Sequence, residues 1–176
     1  FIFFSQKGPG AMHAPWLISL AAGLVVGGLS QFSRLCTVGG FRDLFLFKKS
    51  ILIFGYLAVL IGVFVVNISF GNFHLGFENQ PIAHTDGLWN FLGMALAGFC
   101  SVLLGGCPLR QLIMTGEGNS DSAVTVLGLA AGAAFAHNFG LAASGAGPTL
   151  NGQIAVGVGF VVALIIAILN TKRANA

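Results

Sequence analysis

Charge is what this sequence has least of. Of its 176 residues only 7% are Asp, Glu, Lys or Arg, against about 25% in an ordinary soluble domain. Too few ionic groups are present to cover a water-facing surface, so lipid must supply much of the solvent. Cysteine is also scarce. The three present, Cys36, Cys100 and Cys107, are odd in number and apolar in setting, which does not fit a secreted disulfide framework. No metal-site spacing occurs. The eight Lys and Arg residues give a net charge of +3 but form no basic stripe, so a nucleic-acid partner is not expected. No Met stands at position 1, and Phe1 to Phe4 is too short and lacks the basic leader of a signal peptide. The expectation is the C-terminal portion of a longer protein, with the N-terminal part of the same chain as a partner. A processed product or disorder before Phe1 are the alternatives.

What is abundant is apolar sequence, 56% of the chain, and glycine, 26 residues. Small residues let membrane helices approach closely. Five runs approach the roughly 20 residues needed to cross a bilayer: Pro15 to Phe32, Ile51 to Phe70, Leu88 to Leu104, Ala123 to Ala143 and Ile154 to Leu169. They lack the alternation of barrel strands, and an open backbone cannot be satisfied in lipid, so each is expected as a helix. Loop charge orients them. Arg34, Arg42, Lys48 and Lys49 follow the first run, Arg110 the third, and Lys172 and Arg173 the fifth. All fall on one side, which the positive-inside rule makes cytoplasmic. Lys7 is the one dissenter.

Two connections are not ordinary loops. Cys36 to Phe47 and Cys107 to Thr115 are largely apolar yet too short to span. They are expected as re-entrant half-helices, the broken elements found at transport sites. The pattern of span, cysteine, half-helix and span occurs twice. The expected fold is therefore all-α, a polytopic transmembrane helical bundle in a single domain over 1–176. It has two span–half-helix–span units and one extra C-terminal span.

Gly105-Gly106-Cys107-Pro108-Leu109-Arg110 is the sharpest local signal. The glycines allow a tight turn, Pro108 suits the first helical position, and Cys107 then falls at the N-cap. There a thiol meets free N–H donors and the positive end of the helix dipole. The plain alternative is a turn holding an inert buried cysteine. Cys36 is set similarly, beside Gly39 and Gly40, with Arg34 able to attract an anion and Arg42 and Asp43 able to form ion pairs. Its alternative is a loop whose arginines only fix topology. Cys100 lies seven residues before Cys107, about two helical turns, and is expected as packing that could share its face. His137 and Asn138 sit inside the fourth run, where polar groups face a cavity or another helix. Glu117, Asn119 and Asp121 fit a loop and helix start, with Ser120, Asp121 or Ser122 as cap. His74, Glu78, His84 and Asp86 read as a solvated outer loop.

The stretches SRLCTVGGFRD, GFENQPIAHTDGLWNFLGM and GGCPLRQLIMTGEGNSDSAVTVLGLAAGAAFAHNFGLAAS resemble the YedE/YeeE-type membrane proteins, above all their selenium transporter branch (YedE/FdhT type). The resemblance runs along nearly the whole chain and covers the C-terminal portion of a family member. It implies residence in a bacterial or archaeal inner membrane and transport of a small sulfur or selenium solute past cysteines lining a narrow path. It places Cys36 and Cys107 on that path, but not Cys100, and implies a further cysteine in the N-terminal part. No cofactor and no enzymatic step are implied. Weak S–H donors suit a site that must bind and release; a covalent thiol relay is the other mechanism. Two functions of other classes stay open: a membrane thiol redox protein, and a membrane partner recruiting a soluble sulfur or selenium carrier protein.

Overall fold

The computed structural model describes residues 14–71, 73–76 and 84–174. Among these residues the chain is all-α: α1 (Trp16–Phe32), α2 (Thr37–Phe47), α3 (Ile51–Ser69), α4 (Gly87–Leu103), α5 (Pro108–Gly116), α6 (Ser120–Asn138) and α7 (Leu150–Ala174). It divides into two compact units at Arg34 and Leu35.

The first unit contains α1. Its leucines and valines are exposed all round, as on a helix whose solvent is hydrocarbon. The helix ends at Ser33, and Arg34 then takes the left-handed conformation, φ 50°.

In the second unit α2 packs on α3, α5 packs on α6, and α4 packs on α7, while α2 also touches α4. Large apolar side chains remain exposed on every long helix, and none of α3 is buried. Four stretches are long and apolar enough to cross a membrane: Trp16–Phe47, Ile51–Ser69, Gly87–Gly116 and Leu150–Thr171. The chain is thus a multi-pass membrane protein.

The internal echo has a counterpart in helix lengths. α1, α2 and α3 contain 17, 11 and 19 residues; α4, α5 and α6 contain 17, 9 and 19. In both series a cysteine stands at the N-cap position of the short helix.

Three expectations need correction. The fourth apolar run, Ala123 to Ala143, is not the helix. α6 begins at Ser120 and stops at Asn138, because Gly140 turns left-handed at φ 63°. With Asp121, His137 and Asn138 inside it, α6 is also not one of those four stretches. Its cap is Asn119, whose Oδ1 accepts from the Ser122 N–H at 2.9 Å, rather than Ser120, Asp121 or Ser122. Finally, α7 starts at Leu150, before the expected Ile154, because Thr149 Oγ1 accepts from the Gly152 N–H at 3.0 Å and caps it early.

α4 and α7 run parallel and in register. Gly159, nine residues into α7, faces Leu96, nine residues into α4; a Cβ on Gly159 would come within 2.7 Å of Leu96 Cδ2. A missing side chain there is what lets the two axes approach.

Candidate functional site

Cys36 has extended backbone at the N-cap of α2, and its Sγ accepts a hydrogen bond from the Gly39 N–H at 3.3 Å. A Cβ on Gly39 would stand 3.3 Å from Cys36 Cβ and 3.4 Å from its Sγ. Glycine therefore gives the thiol room to fold back over the first turn. Gly40 lies against the backbone of Leu52 and Ile53, seating α2 on α3.

Cys107 is the N-cap of α5 and Pro108 its first residue, the positions expected from the local pattern. Gly105 makes the preceding turn with φ 74°, a conformation that glycine alone adopts without strain. The Gly106 N–H donates to Ser101 O at 3.0 Å, closing the end of α4. Cys107 is 6% exposed. Its thiol faces the backbone N–H groups of Leu109 and Arg110 in its own first turn. It also faces the Thr37 N–H and the Cys36 thiol. The N-termini of the two half-helices therefore converge, each presenting a cysteine and its first-turn amides. Such a pairing offers weak S–H donors and N–H dipoles, both suited to an anion carrying sulfur and oxygen.

The other expected residues divide. Gly39, Gly40, Gly105, Gly106 and Pro108 shape this meeting point. Arg110, in the first turn of α5, pairs with Glu117 at 3.5 Å. Arg42 pairs with its neighbour Asp43 at 2.9 Å on α2. Arg34 belongs to the first unit and is exposed. His137 and Asn138 lie exposed in the last turn of α6, the end away from α5. Cys100 does not share a helical face with Cys107, since α4 ends at Leu103 and a new helix begins at Pro108. It lines instead an apolar cavity of about 1010 Å³ against α7, between Asn151 and Asn170. No group of three or more His, Cys, Asp or Glu that could hold a metal occurs among the described residues.

One residue at the site was not singled out in the sequence. Gln111 is 4% exposed, and its Nε2 donates to Leu104 O at 2.9 Å. It lies one turn beyond Cys107, and its backbone N–H donates to Cys107 O at 3.1 Å. A Cβ on Gly106 would touch its amide at 3.6 Å. Gln111 thus ties the start of α5 to the end of α4 directly behind the thiol. The signal available in the sequence was an uncharged amide four residues after Cys107, hence on its helix face.

A helical, multi-pass membrane protein with paired half-helices capped by cysteine is the class that this architecture defines. Residues 32–173 match the sulphur transport family, and the chain belongs to that family, the YeeE/YedE membrane proteins. The thiosulfate transporter TsuA of Escherichia coli (strain K12) is 30% identical over 111 residues, a stretch covering 61% of this chain and 30% of that protein. The chain accordingly spans less than a third of that relative's length. No solved structure matches the chain.

Proposed function

We propose that this protein carries a small sulfur-containing anion of the thiosulfate type, or its selenium counterpart, across a bacterial or archaeal inner membrane, past Cys36 and Cys107. The observation that carries this reading is the convergence of two half-helix N-termini on one pair of thiols. Family membership supports the sulfur chemistry. The physical reasoning is direct. An anion leaving water needs donors, and two helix N-termini supply them without a fixed cation. Thiols add donors weak enough to let the solute go. Buried Cys107 and half-buried Cys36 place the tightest contact where water is scarce. Transport by non-covalent hand-over requires no redox partner, so the protein is proposed to act without an enzymatic step.

The test is uptake of labelled thiosulfate and selenite by the full-length protein in liposomes, beside Cys36→Ala and Cys107→Ala. Each variant should lower the rate by tenfold or more, since losing one hydrogen bond to a charged group removes about 1.5–3 kcal/mol. Uptake that both variants leave unchanged, in folded protein, would reduce the thiols to packing. Uptake that depends on an electron acceptor would instead favour a thiol redox protein.

A further inference from the structure

Two of the three cysteines are placed for chemistry that non-covalent transport does not use. Cys36 and Cys107 bring their thiols into contact, although 71 positions separate them in the chain. Cys100 stands apart, on the wall of the apolar cavity beside α7. All three are free thiols. The two that meet are unequal. Cys107 is 6% exposed and Cys36 is half-buried, so a dissolved reagent reaches Cys36 first.

Each sulfur is also held in place. Cys36 Sγ accepts from the Gly39 N–H at 3.3 Å, which folds it over the first turn of α2. Cys107 is held by the amides of Leu109 and Arg110 in its own helix and by that of Thr37, the first residue of α2. The helix starts behind them are anchored. Gln111 Nε2 donates to Leu104 O at 2.9 Å and fixes the start of α5. Gly40 seats α2 against the backbone of Leu52 and Ile53. The two thiols are therefore presented to each other by fixed supports. A sulfur–sulfur bond of about 2.05 Å needs only a small further approach of groups that already touch.

We infer that Cys36 and Cys107 form an exchange pair, which a small sulfur-bridged oxidant of the polythionate class converts to a disulfide that shuts the path. Tetrathionate, two thiosulfate units joined by a sulfur–sulfur bond, is the member to test. The Cys36 sulfur attacks one bridging sulfur. A mixed disulfide between Cys36 and one thiosulfate unit forms, the other unit leaves as thiosulfate, and the thiol proton goes to water. The Cys107 sulfur then attacks the Cys36 sulfur. That step makes the Cys36–Cys107 disulfide and releases a second thiosulfate and a second proton. The cysteines lose two electrons and the tetrathionate gains them. The amides that suit an oxygen-bearing sulfur anion in transport suit this oxidant equally. Thiosulfate is a product of the exchange, so it passes unreacted while its oxidised dimer closes the way. The disulfide removes both S–H donors and ties α2, packed on α3, to α5, packed on α6. The closing of the path rests on the transport reading; the exchange itself does not.

The experiment treats the full-length protein with tetrathionate and then reconstitutes it into liposomes. Peptide mapping should find Cys36 linked to Cys107, with Cys100 still free. Uptake of labelled thiosulfate should fall tenfold or more and return on treatment with dithiothreitol. Cys107→Ser should halt the exchange at the mixed disulfide, so that Cys36 keeps one thiosulfate unit. Cys36→Ser should leave the buried Cys107 unmodified. The link in the unsubstituted protein decides the matter if either variant misfolds. Folded protein in which Cys36 and Cys107 stay unlinked, or in which either is linked to Cys100, would overturn the proposal. So would linked protein that takes up thiosulfate at the untreated rate. If the untreated protein shows no uptake while the link forms, the transport reading fails and the exchange pair stands.

Discussion

Arg34 and Gly105 occupy the same place in the two repeated series: each immediately follows the residue that caps the preceding helix, Ser33 after α1 and Leu104 after α4. Both are left-handed, with φ of 50° and 74°. For a residue with a Cβ this conformation costs about 1–2 kcal/mol. Glycine escapes that cost at 105, and arginine bears it at 34. Gly105→Ala should therefore destabilise the protein by about 1 kcal/mol or more, although nothing lies within 4 Å of the added methyl. Arg34→Gly should shift stability the other way. Thermal unfolding midpoints in detergent check both, and a neutral Gly105→Ala would show that the turn relaxes without penalty.

At the scale of elements, a single buried amide ties α5 to the end of α4. Replacing Gln111 by Leu keeps the volume but removes the donor from Leu104 O. We expect a loss of about 1–3 kcal/mol and a fall in uptake larger than that of an exposed α5 substitution such as Leu112→Ala. Unchanged stability and uptake would deny the amide its positioning role. The half-helices themselves were legible in the sequence. Gly105, Gly106 and Pro108 act through local backbone chemistry, and a cysteine followed by proline declares an N-cap without tertiary information. The end of α6 was not legible from hydropathy, since the apolar run continues through Phe139 to Ala143 while Gly140 has already broken the helix. The contact between Cys36 and Cys107 joins residues 71 positions apart, and no local pattern specifies it. Glu78, grouped with His84 in the sequence, lies outside the described residues.

For the whole molecule, the register of α4 with α7 agrees with the distribution of charge. Two parallel crossings require their starts to lie on one side of the membrane, and the segments before them carry no Lys or Arg between Gly71 and Asp86 or between Phe139 and Thr149. That side should face away from the cytoplasm. A reporter at Ala146→Cys should react with a membrane-impermeant maleimide in intact cells, whereas Lys49→Cys should react only after permeabilisation. The reverse pattern would invert the topology. The parent chain is the reference, with its own cysteines buried or half-buried.

The parallel pairing of α4 with α7 also sets the order of events during synthesis. Leu96 leaves the ribosome about sixty residues before Gly159, an interval of several seconds at about 5–20 residues per second. Throughout that delay α4 is in the bilayer without the helix it will finally rest against. Lipid tails cover Leu96 in the meantime about as well as the glycine notch will, so the wait carries no aggregation hazard of the sort that a water-soluble chain would face. The two half-helices are thus laid down before α7, which then locks α4.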